Sequence, residues 1–357
     1  MQNKDFFSLS ELQQIYNKKF YTKTKNIYSV FKTFAKSRYL QSARAKNFYD
    51  KVFSKIKSKE IFIAEIGAGF GYHTKLFLDS LLSIIKSSGN SDNLKINLHA
   101  FDISSRNLHE LEKRVTNRLV KLDCIQVDLN DFDSLSKILR RNGKLNYDLI
   151  TFHEMLDDLP AKVLTLESQD NNDEIFEILF SYNLKHMKKI HFSDKNFDSY
   201  RENMIPNFLL NYYIAFNFHA LDTLKYFSNF LNEFGYIEIT DYGFLYGDLM
   251  NLPYELWNLN IVREIENHIT VDVNFSFIKQ FFSKQKKFKI KIMKQKEFCE
   301  LMHDKKLFYY DYDNKWLDYY SEEDLKKVSN FLKLHKKGIE YQDNYYYMTI
   351  INSQKHY

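Results

Sequence analysis

The sequence predicts an α/β fold, with a mostly parallel sheet and helices on both faces. Two observations predict it. From residue 60 to 155, short apolar runs alternate with segments of helical period, in the order β-α-β-α-β-α-β. At the first strand-to-helix junction, Gly67, Gly69 and Gly71 place three of the chain's nine glycines within five residues. A chain so poor in glycine holds them there because the backbone needs them.

The elements follow in order. Residues 60–66 (EIFIAEI) form a short apolar run that meets the glycines, which suits a buried strand ending in a tight turn. Residues 72–86 carry apolar positions at helical spacing, and 87–93 (SSGNSDN) read as a loop. Residues 94–104 read as the second strand. Serines at 104 and 105 open a helix to residue 115, since serine is a natural N-cap. Residues 122–129 are the third strand, 131–142 a helix, and 147–155 (YDLITFHEM) the fourth strand. Residues 163–168 and 174–182 form a hairpin about the polar turn QDNND. Residues 207–234 read as one long aromatic helix, residues 235–244 as a strand, and 288–295 and 345–352 as two late strands. Before the core, Leu9, Leu12, Ile15 and Tyr16, then Val30, Phe31 and Phe34, recur at helical spacing. Residues 1–58 are therefore expected as an N-terminal helical extension. Residues 59–357 are expected as the main domain, with 163–234 as an inserted, substrate-side region.

Composition excludes several classes. The 51 basic and 46 acidic residues leave a net charge of +5, with the signs mixed along the chain, so no basic footprint for nucleic acid stands out. The basic run 284–296 alternates like a strand between solvated lysines. The 17% aromatic content goes with only three prolines and a general preference for Lys, Asn, Ile, Phe and Tyr, and reads as compositional bias. Two distant cysteines make no disulfide framework, which implies a reducing compartment. No apolar run reaches the length of a membrane span, and the first residues carry no leader core, so a cytoplasmic location is expected. His186 and His191 lack fitting partners for a metal, and no metal is expected. Oligomeric state is not legible.

The chemistry sits at the strand ends. A dinucleotide fingerprint would read GxGxxG; here the spacing is GxGxG, with Glu65 just before it. Gly67 permits the sharp exit from the strand, Ala68 follows it, Gly69 admits a ligand close to the backbone, and Gly71 brings the next helix close. Acids at strand ends suit S-adenosylmethionine (SAM), which has a ribose, an amino group and a cationic sulfonium but no pyrophosphate. Asp102, followed by Ile103, is placed to accept ribose hydroxyls or to cap the next helix. Asp128, followed by Leu129, is placed to meet the adenine amino group or to lie in a solvated loop.

The fourth strand ends in Phe152-His153-Glu154-Met155-Leu156-Asp157-Asp158-Leu159-Pro160. This stretch resembles the MidA-like methyltransferases, where a strand ends in Asn-Glu-Phe-Phe-Asp-Ala-Leu-Pro. His153 stands for the family's Asn and Asp158 for its Ala. Glu65 to Gly71 is similar to the family's Glu-Leu-Gly-Pro-Gly-Arg-Gly, with Phe70 for its Arg. Asp241-Tyr242-Gly243-Phe244 matches Asp-Tyr-Gly-Phe, and residues 268–275 are similar to Asp-Ile-Thr-Ala-His-Val-Asp-Phe. The Gln295-Lys-Glu-Phe298 segment suits a late Thr-Gln-x-x-Phe element. The family's Gly- and Tyr-rich segment before the first strand, and its Gly-rich stretch after Phe244, have no counterpart.

The resemblance implies a Rossmann-like class I SAM-dependent methyltransferase fold and a protein substrate, arginine in the first place, as in the related mitochondrial enzyme of complex I assembly. Catalytic candidates are then Glu154, Asp157 and His153, with His153 also at the cofactor. Glu154 would orient the acceptor nitrogen, and Asp157 would assist. Their structural alternatives are loop hydrogen bonding for Glu154, turn capping for Asp157 and Asp158, and a structural role for His153. Asp241 and Tyr242 either line a substrate mouth or form a turn fixed by Gly243. A small-molecule methyltransferase and a non-catalytic assembly factor are the other functional readings.

Overall fold

The computed structural model describes residues 5–23, 38–56, 60–89, 94–141, 146–169, 172–193, 209–250, 252–265, 267–304, 311–312, 315–316 and 344–353. Val30, Phe31 and Phe34, and residues 170–171 of the expected hairpin turn, lie outside the described residues. The chain divides into two units. One comprises Asn26–Glu154, Ser228–Asp241 and Lys287–Tyr357; the other comprises Met1–Lys25, Met155–Phe227 and Tyr242–Lys286.

The first unit is built on a mixed sheet. Its strands are β1 (Glu60–Ile66), β2 (Lys95–Asp102), β3 (Val120–Gln126), β4 (Tyr147–His153), β5 (Leu231–Phe244), β6 (Phe288–Lys294) and β7 (Tyr345–Asn352), in the spatial order β6-β7-β5-β4-β1-β2-β3. Strands β3, β2, β1, β4 and β5 run parallel, and β6 pairs antiparallel to β7. Chain order reverses direction across β1: β2 lies on one side and β4 on the other. The carboxyl ends of β1, β2 and β4 therefore open onto one edge, where open α/β sheets hold their ligands.

Every residue of β4 is buried, its apolar Tyr147, Leu149, Ile150 and Phe152 together with the polar Asp148, Thr151 and His153. The helices Tyr72–Ser87, Ser105–Arg114 and Phe132–Arg141 connect the parallel strands as the alternation predicts. Ser104 caps the second of these, its side chain accepting from Asn107 N. Phe48, Val52, Ile61, Ile63, Phe77, Leu81, Ile85, Ile96 and Tyr236 form one buried cluster that holds the helices to the sheet.

The second unit carries a five-stranded sheet. The expected hairpin forms from Lys162–Gln169 and Asn172–Ser181, antiparallel, with Leu164 opposite Glu177. Phe6–Phe7, Met187–His191 and Tyr213–Phe216 extend it. A smaller hairpin pairs Val262–Ile265 with His268–Val271.

One expected element does not form. Residues 209–234 are not a continuous helix but the strand Tyr213–Phe216, the helix Phe218–Ser228 and the start of β5; residues 207–208 lie outside the described residues. The Tyr-Ile-Ala-Phe run has strand propensity and finds a partner in Lys162–Thr165. Asn217 ends it: the side chain is fully buried and accepts from Asn274 N at 2.8 Å, while its carbonyl starts the helix by accepting from Leu221 N. The stretch 1–58 likewise contributes to both units, the helix Leu9–Lys23 to one and the helix Arg38–Phe48 to the other. Among the described residues, no helix is long and apolar enough to cross a membrane.

Candidate functional site

The glycine turn closes β1 onto β2. Gly67 N and Ala68 N both donate to Phe101 O, at 2.9 and 3.0 Å. Gly67, Gly69 and Gly71 all have φ between +54° and +75°, a region open to glycine at little cost. Gly69 and Gly71 use that freedom differently. A Cβ on Gly71 would lie 2.7 Å from Leu111 Cγ, so its bareness lets the helix Ser105–Arg114 close on the turn. A Cβ on Gly69 would meet nothing within 4 Å, so Gly69 faces open space, as a ligand cradle requires. The helix Tyr72–Ser87 then starts with no side-chain cap on its first turn, leaving amides of the kind that bind polar ligand groups.

Asp102 ends β2 beneath that cradle. Its Oδ2 accepts from Gly69 N at 2.8 Å; its Oδ1 accepts from Ser104 N at 2.8 Å and Asn107 Nδ2 at 3.2 Å. Capping belongs to Ser104, and Asp102 braces the glycine turn. A carboxylate offers about four acceptor positions, so the three donors leave room for a ligand hydroxyl. Burial raises its pKa, and the surrounding donors oppose that rise. Ile103 O accepts from Gln126 Nε2 at 3.1 Å, joining the loops after β2 and β3. Asp128 Oδ1 accepts from Asn130 N and Nδ2, at 3.0 and 2.9 Å, and so shapes its own loop; Leu129 beside it is half-buried.

Glu65 is 4% exposed and directed into the protein. Thr74 on the helix Tyr72–Ser87 and Arg44 lie near it. Burial pushes its carboxyl up to about 7, against the pull of Thr74 and Arg44.

His153 is buried at the end of β4, where Nδ1 bonds Thr240 Oγ1 and Nε2 faces Gln41 Nε2 at 3.4 Å. Its ring packs on His73, centroids 4.2 Å apart. Glu154 follows with φ +46°, unusual for a residue with a side chain, and its N donates to Thr240 O at 2.7 Å. The sheet unit thus gathers Gly67, Ala68, Gly69, Asp102, Ile103, His153 and Glu154 at strand ends. His73, Gln41 and Arg44 join them without having stood out in the sequence. Their only advance signal was position: His73 lies two residues past the glycines, and Gln41 and Arg44 sit three apart on one helical face.

Asp157 belongs to the second unit and is 4% exposed. Its carboxyl accepts from Thr270 Oγ1, and Tyr242 OH bonds that same threonine. Burial first, then the neighbouring Asp158, raises its pKa. Asp158 meets His268 Nε2 at 2.5 Å and accepts from Tyr21 OH. Asp241 is fully buried, and Gly243 passes so close to the Val273 carbonyl that a side chain there would collide.

The helix Leu9–Lys23 holds this acidic turn. Gln13 donates to Asp157 O at 3.1 Å and accepts from Ala161 N at 2.9 Å. Asn17 donates to Asp158 O and Ile269 O, and accepts from Ile269 N at 2.8 Å.

Comparison with known proteins agrees with this picture. No curated protein matches the chain. Among solved structures, an uncharacterized protein from Burkholderia thailandensis is similar, with a TM-score of 0.58 at 11% identity, over 98% of this chain and 87% of that one. A superfamily member from the same organism, bound to S-adenosyl-homocysteine, gives a TM-score of 0.55 at 11% identity, over 98% and 88%. At that identity the likeness is one of fold. A family described as "Putative S-adenosyl-L-methionine-dependent methyltransferase" matches residues 47–293. That segment spans more than half of the chain and contains the glycine turn, Asp102 and Glu154, so the protein belongs to this family of SAM-dependent methyltransferases.

Proposed function

We propose that the chain is a protein methyltransferase of the MidA-like type on a Rossmann-like class I fold, with arginine as the acceptor. The observation that carries this reading is Glu154. It stands one residue past β4, at the sheet edge that holds the glycine cradle, in a strained left-handed conformation tied to β5 through Thr240 O. Such strain persists where surrounding structure enforces it, and it clusters at functional sites. The strand order, with β1 between β2 and β4, supports the class I fold.

SAM supplies the electrophilic methyl group when bound. Gly69 leaves space for the cofactor, and Asp102 offers an acceptor to a ribose hydroxyl. Glu154 holds the acceptor nitrogen in line by charge-assisted hydrogen bonding and takes its proton. Asp157, buried and bonded to Thr270, acts through the shape of the turn it occupies. That burial counts against direct contact between Asp157 and a guanidinium, which favours the second reading, a small-molecule methyltransferase with a narrower acceptor.

The experiment is transfer of tritiated methyl groups from SAM to arginine-containing proteins, followed by analysis for methylated arginine. Glu154→Gln should abolish transfer and leave SAM affinity within a few-fold of wild type. Turnover retained in that variant removes Glu154 from the mechanism. Label appearing only on small molecules selects the second reading.

A further inference from the structure

Gln41 and Arg44 lie on the helix Arg38–Phe48, before the family-matched segment begins at residue 47. Arg44 is buried, with Nε and Nη2 on Glu238 and Nη2 also donating to Thr151 Oγ1 at 2.6 Å. Its Nη1 donates to Gln41 Oε1, also at 2.6 Å. A guanidinium has donors and no acceptor. The Gln41 oxygen must therefore face Arg44, which turns the Gln41 NH₂ towards His153 Nε2 at 3.4 Å. An NH₂ only donates, so Nε2 accepts and carries no proton. The ring proton then sits on Nδ1 and is donated to Thr240 Oγ1.

We propose that Gln41, oriented by Arg44, is a positioning residue that holds His153 as its Nδ1-protonated tautomer, so that His153 serves the cofactor site as a fixed ring and not as the base. The proposal rests on the reading that His153 belongs to the site of a methyltransferase. The Thr240 hydroxyl, the Gln41 amide and the His73 ring all face the imidazole. Arg44, Glu238 and Glu65 stand behind Gln41. Protonating Nε2 would set donor against donor at Gln41. Turning the Gln41 amide to accept that proton would set its NH₂ against Arg44, also a donor. The lock therefore keeps positive charge off His153, where an imidazolium would repel a cationic sulfonium. The proton lost on N-methylation then goes to another group, and Glu154 is the adjacent carboxylate.

The test is a long-range proton–nitrogen correlation spectrum of the full chain labelled with ¹⁵N-histidine. The His153 signals are identified by their loss in His153→Asn. The expected spectrum shows Nδ1 protonated and Nε2 bare, unchanged from about pH 8 to about pH 6, across the ordinary histidine range. In Gln41→Glu the carboxylate still accepts from Arg44 but also accepts from Nε2, so a doubly protonated ring is expected near neutrality. A wild-type ring protonated on Nε2, or one that titrates over that interval, overturns the proposal with no need of the glutamate variant. Addition of S-adenosylhomocysteine tests the site separately. Binding that shifts the His153 signals supports its place there, and binding that leaves them unmoved removes His153 from the cofactor site while the free-protein spectrum still decides the tautomer.

Discussion

Arg44 and Glu238 form a buried ion pair, 2% and 0% exposed, with Arg44 Nε and Nη2 at 2.7 and 2.6 Å from the same carboxylate oxygen. Tyr347 OH donates to the other oxygen at 2.7 Å. Removing one member leaves the other charged and without its counter-ion inside the protein, at a cost of about 3–5 kcal/mol. Arg44→Met should lower unfolding free energy by that amount in urea titration. The double variant Arg44→Met, Glu238→Leu should lose less than the sum of the singles. Additive losses would mean that the two charges do not depend on one another.

Gly69 and Gly71 should respond to alanine in different assays. At Gly71 the new methyl meets Leu111 at 2.7 Å and the backbone sits at φ +75°, so Gly71→Ala should cost about 1–3 kcal/mol of stability. At Gly69 the methyl enters open space. Gly69→Ala pays only the backbone penalty of about 1 kcal/mol, and its larger effect should fall on S-adenosylhomocysteine affinity, read by calorimetry. Equal losses of affinity in two folded variants would remove Gly69 from the cradle.

Glu65 makes stability depend on pH. Its carboxyl is raised by burial from 4.5 to about 7, so the folded protein binds this proton more tightly than the unfolded chain. The resulting stability is fully present below about pH 4.5 and is lost as pH rises through about 7. Glu65→Gln mimics the protonated form and should gain on wild type through that window, then hold a constant lead above it. Chemical denaturation at several pH values measures the difference; a lead that does not vary with pH contradicts the assignment.

Asn17 pairs with the backbone of Ile269 as a neighbouring strand would, donating to its carbonyl and accepting from its amide. Asn17→Ala should cost about 1–3 kcal/mol, since it leaves buried backbone groups unsatisfied. Amide exchange at Ile269 should accelerate while that of β1 and β2 does not. Unchanged exchange at Ile269 would show that Asn17 does not hold that strand.

The parallel core was legible because strands buried on both faces are predominantly apolar, as the Ile-Phe-Ile-Ala of 61–64 and the Leu-Ile of 149–150 are, and because glycines are scarce enough here to mark a turn. Asp102 was legible as a strand-end acid, though not its grip on Gly69 N, which depends on a turn conformation. The region 209–234 was misread because aromatic and aliphatic residues fill both periods; only pairing with Lys162–Thr165 and the buried Asn217 select strand then helix. Gln41 and Arg44 escaped notice because a polar pair on a helix ordinarily faces water. The acids Glu238 and Glu65, contributed by distant strands, reverse that expectation. Asp157 was legible as a group that assists Glu154 or caps the turn, but not its bond from Thr270, more than a hundred residues later.

The bonds from Asn17 to Ile269 span 252 positions. During synthesis the helix Leu9–Lys23 emerges well before Ile269, which follows only after a further ~13–50 s at about 5–20 residues per second. The turn that Gln13 grips at Asp157 and Ala161 is made well before then, but Asn17 still lacks the Ile269 groups that complete its hold. A nascent chain halted before residue 269 should therefore leave the helix more open to proteolysis, and a segment made long before its partner would be among the last to settle.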